Sequence, residues 1–123
     1  MDAIKTVALG FGTINLLKEN LAEVIIDEGV EMDLAMVNQY HQALLTNLTP
    51  PFDIVINKLN AYTYTFEAQL ELGTLAEIDR LAVITYNSIA KVSTENLAKF
   101  PRNKAWNVEF FSDRQDAIDW LIA

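Results

Sequence analysis

Residues Phe52 to Gln69 read FDIVINKLNAYTYTFEAQ, and the architecture turns on how they are read. The stretch opens on Phe52, Ile54 and Ile56, at the two-residue spacing of a strand face, and predicts a strand over Phe52 to Leu59. Asn60-Ala61-Tyr62-Thr63-Tyr64-Thr65 follows as a polar, aromatic junction, and helix formers come after it. A buried strand that passes the chain to a helix through such a junction marks the edge where α/β domains bind.

The far half supports two readings. Tyr62, Tyr64, Phe66, Ala68, Leu70 and Leu72 alternate strictly with Thr63, Thr65, Glu67, Gln69 and Glu71, which is the period of a strand. Composition from Glu67 onward is that of a helix. We read a helix from Thr65 to Asp79, capped by Thr65 with Glu67 in its first turn, against the alternative of one long strand.

Working outward, Leu81 to Tyr86 (LAVITY) is a second buried strand, expected to run parallel beside Phe52–Leu59. Asn87-Ser88 then caps a helix to Lys99 with Ile89, Val92, Leu97 and Phe100 as its inner stripe, and Pro101 ends it. Ala105 to Phe111 is the last strand. Ser112-Asp113-Arg114-Gln115 has capping-box spacing ahead of a final helix carrying Ala117, Ile118, Trp120, Leu121 and Ile122.

Upstream, Asp33 is placed to cap a helix to Asn47. Its stripe is Leu34, Val37, His41, Leu44, Leu45 and Leu48, and Thr49-Pro50-Pro51 stops it. Ile4 to Leu9 is an edge strand, followed by a turn at Gly10-Phe11-Gly12 and a second strand over Thr13 to Lys18. Glu19-Asn20 makes a tight turn, Asn20 tolerating the left-handed conformation, into Leu21 to Asp27. The continuous Val24-Ile25-Ile26 predicts cover on both faces. The expected fold is α/β in a single domain over residues 1–123. It has a mixed sheet of five to six strands and four helices; an antiparallel N-terminal hairpin leads into parallel strands joined by right-handed crossovers.

The totals narrow function by exclusion. The chain has 123 residues, 51% hydrophobic and 21% charged, the composition of a folded globule. Nine Lys and Arg against 17 Asp and Glu give a net charge of −8, which disfavours nucleic acid and anionic membrane surfaces. The absence of cysteine removes disulfides, thiolate metal sites and cysteine nucleophiles, and fits a cytoplasmic setting. The apolar run from Thr6 to Leu17 is broken by Gly10, Gly12 and Asn15, so it reads as strands and not as a secretory signal. No apolar run reaches the roughly 20 residues of a membrane span.

Element order, the LAVITYN strand and the ending FFSDRQDAIDWL, Phe110 to Leu121, resemble the STAS or SpoIIAA-like group. This is the fold of anti-sigma-factor antagonists, close to SEC14-type lipid-binding domains, and the resemblance runs from Phe11 to Leu121. It implies the fold and little about function, since folds are reused. Classical antagonists carry an Asp-Ser-Ser-Gly type loop after the third strand, where a serine is phosphorylated. The corresponding junction here, Asn60 to Thr65, has neither that motif nor a glycine, and no phosphoacceptor role is carried onto Thr63 or Thr65.

Few residues invite chemistry. His41 is the one histidine; it reads as a general base or metal ligand, or, more simply, as a boundary histidine packed on the sheet. Gly10-Phe11-Gly12 lacks the strand-to-helix context of a dinucleotide fingerprint. Asp27, Glu28, Glu31 and Asp33 lack EF-hand spacing and read as strand ends, caps and solvated loop. Glu67 and Glu71 read as solvated surface. Ser88, Ser93 and Ser112 read as caps or exposed hydroxyls.

The strongest constellation is Asn60, Tyr62, Thr63, Tyr64, Thr65 and Asn87, gathered at one carboxyl edge if the two central strands are parallel neighbours. The expectation is a non-enzymatic cytoplasmic interaction or regulatory domain with an exposed Tyr62/Tyr64 patch and no cofactor. The alternative is a protein binding a small amphipathic, lipid-like or nucleotide-like ligand at the same edge. An enzyme would require a buried carboxylate and His41 beside a pocket. The edge strand leaves a homodimer open.

Overall fold

The structure, a computed structural model, describes residues 1–99 and 106–123. Its main sheet has six strands: β1 (Lys5–Ala8), β2 (Gly12–Lys18), β3 (Leu21–Ile26), β5 (Phe52–Asn57), β7 (Ile78–Ile84) and β8 (Val108–Phe111), side by side in that order. β1, β2 and β3 pair antiparallel; β3, β5, β7 and β8 pair parallel. Two short strands, β4 (Glu31–Met32) and β6 (Thr63–Tyr64), form a separate parallel ladder. The helices are α1 (Leu34–Asn47), α2 (Phe66–Glu71), α3 (Ser88–Ala98) and α4 (Arg114–Ile122). None of them is long and apolar enough to cross a membrane, among the described residues.

The decisive pairing is as expected. Ile54, Val55, Ile56 and Asn57 lie opposite Leu81, Ala82, Val83 and Ile84. Strand alternation then splits the core in two. Phe52, Ile54, Val24 and Leu81 face α1 and α2, packing with Val37, Tyr40, Leu44 and Ala68. Val55, Ala82 and Ile84 face α4, packing with Ala117, Ile118 and Leu121. Crossover residues from α1, α2 and α3 thus join one core, and the last helix covers the opposite side. Each fully buried aliphatic side chain here contributes about 1.5–3 kcal/mol.

α4 is pinned at both ends. Arg114 in its first turn donates to the Glu23 carboxylate from Nε (2.8 Å) and Nη2 (3.1 Å). Arg80 donates to the carbonyls of Trp120 and Leu121 at its C-terminus, where a cation favours the helix dipole, and pairs with Asp53 at 2.9 Å.

Several local expectations need correction. Thr65 does cap a helix, accepting from the Ala68 N–H, but α2 ends at Glu71, and Asp79 already lies in β7. The stop is Gly73, whose φ of +70° breaks the helical path. The alternation from Tyr62 gives extended backbone only over Thr63–Tyr64, which pairs with β4. α3 is rotated from the expected stripe: Ile89 and Val92 are 79% and 55% exposed, while Thr94 is 3% exposed. Thr94 Oγ1 donates to the Ala90 carbonyl at 2.9 Å, which lets a hydroxyl be buried there. Phe100, Pro101 and Ala105 lie outside the described residues. Asp113, not Ser112, caps α4, accepting from the Gln115 N–H. The Glu19-Asn20 turn forms without a left-handed residue, since no non-glycine among the described residues has positive φ; a bulge between Leu16 and Lys18 adjusts the pairing instead.

Candidate functional site

β5 ends at Asn57, and Lys58 to Tyr62 carries the chain across the carboxyl edge of the sheet. This junction is fastened on three sides. The Lys58 N–H donates to the Ile84 carbonyl and Asn60 Nδ2 to the Ile26 carbonyl at 2.9 Å. The loop after β3 closes against it: Gly29 N–H donates to Ala61 O, Ala61 N–H to the Glu28 carboxylate, and Thr63 N–H to Val30 O. Two acids of this loop are therefore spent on structure, Glu28 on the junction and Asp33 on capping α1. Among the described residues, no group of three or more histidine or acidic side chains is placed to hold a metal ion.

Tyr62 and Tyr64 stand together over the face shared with α1 and α3. Their rings are 5.6 Å apart at 69°, an edge-to-face pair, with the two hydroxyls 3.4 Å apart. Lys58 Nζ lies 4.3 Å from the Tyr62 ring centre and 5.6 Å from that of Tyr64, within cation–π range of both. Beneath them is a partly open cavity of about 30 Å³ whose walls include Val24, Ile26, Tyr40, Leu72 and Trp106. That is space for one or two water-sized groups.

Two open grooves flank the tyrosines. One, of about 520 Å³, runs past Leu59, Asn60, Tyr86, Asn87 and Ile89; the other, of about 440 Å³, runs past Thr63, Gln69, Asn96 and Leu97. Lys58, Tyr62 and Thr94 border all three spaces, so the cavity and both grooves meet at one point.

The six residues singled out from sequence are divided by the structure. Tyr62 and Tyr64 are half-buried walls rather than an exposed patch, and Thr63 is exposed beside them. Asn60, Thr65 and Asn87 are held by backbone: Asn60 on β3, Thr65 as the α2 cap, and Asn87 as the α3 cap accepting from Ala90 N–H at 2.8 Å. Asn60 and Asn87 still border the larger groove.

Sequence reasoning passed over Lys58, Thr94, Tyr86 and Tyr40. Tyr40 had a visible signal, since it sits three residues after Val37 and four before Leu44 on the buried face of α1. It is 4% exposed, it borders the small cavity, and burial, with Tyr62 nearby, pushes its phenol above the ordinary range.

His41 faces away from these spaces. Its Nε2 accepts from the Gly73 N–H at 3.2 Å, so the neutral ring holds the end of α2, and burial lowers its pKa to about 4. The buried carboxylate on the α4 face, Glu23, is also structural. Burial acts to raise its pKa, but hydrogen bonds from Arg114 and Asn57 and the Arg114 charge outweigh that and hold it below the usual value. Asn57 Nδ2 donates to Glu23 at 2.9 Å, and Tyr86 donates to Asn57 Oδ1 at 2.8 Å, so this chain of bonds fixes the Tyr86 wall of the larger groove.

No family model matches the chain, and no curated protein does. Among solved structures it is similar to an uncharacterised protein of the DUF3478 family with a SpoIIAA-like fold, from Shewanella loihica PV-4. The two are 17% identical, the match covers 98% of each chain, and the TM-score is 0.57. At that identity the likeness establishes the fold, so the resemblance seen in LAVITYN and FFSDRQDAIDWL holds at the level of architecture.

Proposed function

We propose that this protein is a non-enzymatic binding domain that holds a small amphipathic molecule at the carboxyl edge of its sheet. The observation that carries this reading is the meeting of an apolar cavity and two open grooves at Lys58, Tyr62 and Thr94. Apolar walls with a few converging polar groups are the usual form of small-molecule sites. His41 and Glu23, the groups an acid–base mechanism would call on, border neither the cavity nor the grooves, which favours binding over catalysis.

Native mass spectrometry of the gently purified protein tests the reading. An adduct retained by the wild type and lost from Tyr62→Ala supports it; a clean apo mass, with no uptake from a panel of amphipaths, counts against it. A protein partner is the second reading, favoured by Leu59, Tyr86, Ile89 and Val92, all more than half exposed or at half exposure around the same edge. Loss of a captured partner on Ile89→Asp, with amphipath binding absent, would move the weight there.

A further inference from the structure

Resting on the ligand-binding reading above, we infer that the ligand is an amphipathic monoanion, a medium-chain or aromatic carboxylate, seated with its head at Lys58 and its apolar body in the larger groove. Two donor side chains border the small cavity with no acceptor among the described residues. Among the described residues the Lys58 ammonium makes no hydrogen bond or ion pair, and it lies 4.3 Å and 5.6 Å from the ring centres of Tyr62 and Tyr64. The Tyr40 hydroxyl, on a residue 4% exposed, has no hydrogen-bond partner among the described residues. Buried donors in native proteins are nearly always satisfied, so the Tyr40 hydroxyl calls for an acceptor from outside the chain, and the half-buried Lys58 ammonium on the same cavity supplies a charge to hold one.

Charge sets the valence of that acceptor. Among the described residues, Lys58 is the only cation bordering the cavity or either groove, in a protein of net charge −8. Glu28, the one acid on the larger groove among the described residues, already accepts from Ala61 N–H. A single negative charge is matched by Lys58; a polyphosphate would leave further charges facing an acidic protein. Volume sets the orientation. The cavity of about 30 Å³ admits a carboxylate head but no chain, whereas the groove of about 520 Å³ offers Leu59, Tyr86 and Ile89 to an apolar body.

Octanoate, octanol and octyltrimethylammonium, titrated by calorimetry against the full chain, separate the possibilities. The wild type is expected to prefer octanoate, to bind octanol more weakly, and to reject the cation. Lys58→Met should lower octanoate affinity about tenfold, the loss expected of a charged hydrogen bond, and leave octanol within about twofold. Added salt should weaken octanoate alone. Tyr40→Phe should lower octanoate affinity about threefold without lowering the melting temperature, because it removes an unsatisfied buried donor. That combination is not produced by a merely structural tyrosine, and it keeps the test decisive if the Lys58 variant fails to fold. Equal binding of octanoate and octanol, or octanoate affinity unchanged in either variant, overturns the carboxylate assignment and leaves the amphipath reading standing. Binding of neither probe by the wild type removes both.

Discussion

His41 should make the protein lose stability on mild acidification. The residue is 8% exposed, and Nε2 accepts from the Gly73 N–H, a bond that exists only while that nitrogen is unprotonated. Burial lowers its pKa from 6.5 to about 4. The unfolded chain therefore takes up the proton first. Stability from this residue is complete above pH 6.5 and falls as pH drops towards 4. At roughly 1.4 kcal/mol per pH unit, the loss is about 2 kcal/mol at pH 5 and about 3 kcal/mol below pH 4. Urea unfolding followed by far-ultraviolet circular dichroism at pH 7 and pH 5 measures it, with His41→Gln as the comparison. Glu23 does not confuse this window: its carboxyl is held below 4.5, so its contribution is lost only at lower pH. The wild type should lose about 2 kcal/mol between the two conditions and the variant much less. Equal losses in both proteins would show that His41 is not a neutral acceptor and would undo the reasoning.

Arg114→Met leaves the Glu23 carboxylate buried without its cation; a loss of about 2–3 kcal/mol is expected in urea unfolding, tempered because Arg114 is about a third exposed. Pairing it with Glu23→Gln should recover part of that loss. Gly73→Ala demands a side chain at φ +70° with its Cβ 2.5 Å from Trp106 Nε1, so a loss of at least about 2 kcal/mol should accompany a shift in tryptophan emission. Ile89→Asp and Val92→Asp should each change stability by less than about 0.5 kcal/mol, since both side chains are exposed; a large loss would restore the inward stripe read from the sequence.

The sheet was legible because its central strands carry apolar runs bounded by turns and caps. Val24-Ile25-Ile26, Phe52–Ile56 and LAVITY allowed few other assignments, and Asp33, Thr65 and Asn87 announced three helix starts. Tyr62 to Leu72 was not, because strict alternation and helix-forming composition coexist in it, and the outcome depended on Gly73 and on the ladder with Glu31–Met32. The face of α3 was misread because its largest apolar residues, Ile89 and Val92, point outward while Ala90, Thr94 and Leu97 turn towards the sheet. At the site, the tyrosines stood out as aromatic bodies with polar tips. Lys58 did not, since its meaning comes from the path of the junction that lays its ammonium over Tyr62.

Amide chemical shifts followed by nuclear magnetic resonance during titration with octanoate locate the binding surface directly. Perturbations should concentrate at Lys58–Tyr64 and Tyr86–Thr94, the two segments that meet at the carboxyl edge. Saturable shifts centred instead on α4 or on β1, with that edge unmoved, would contradict the account.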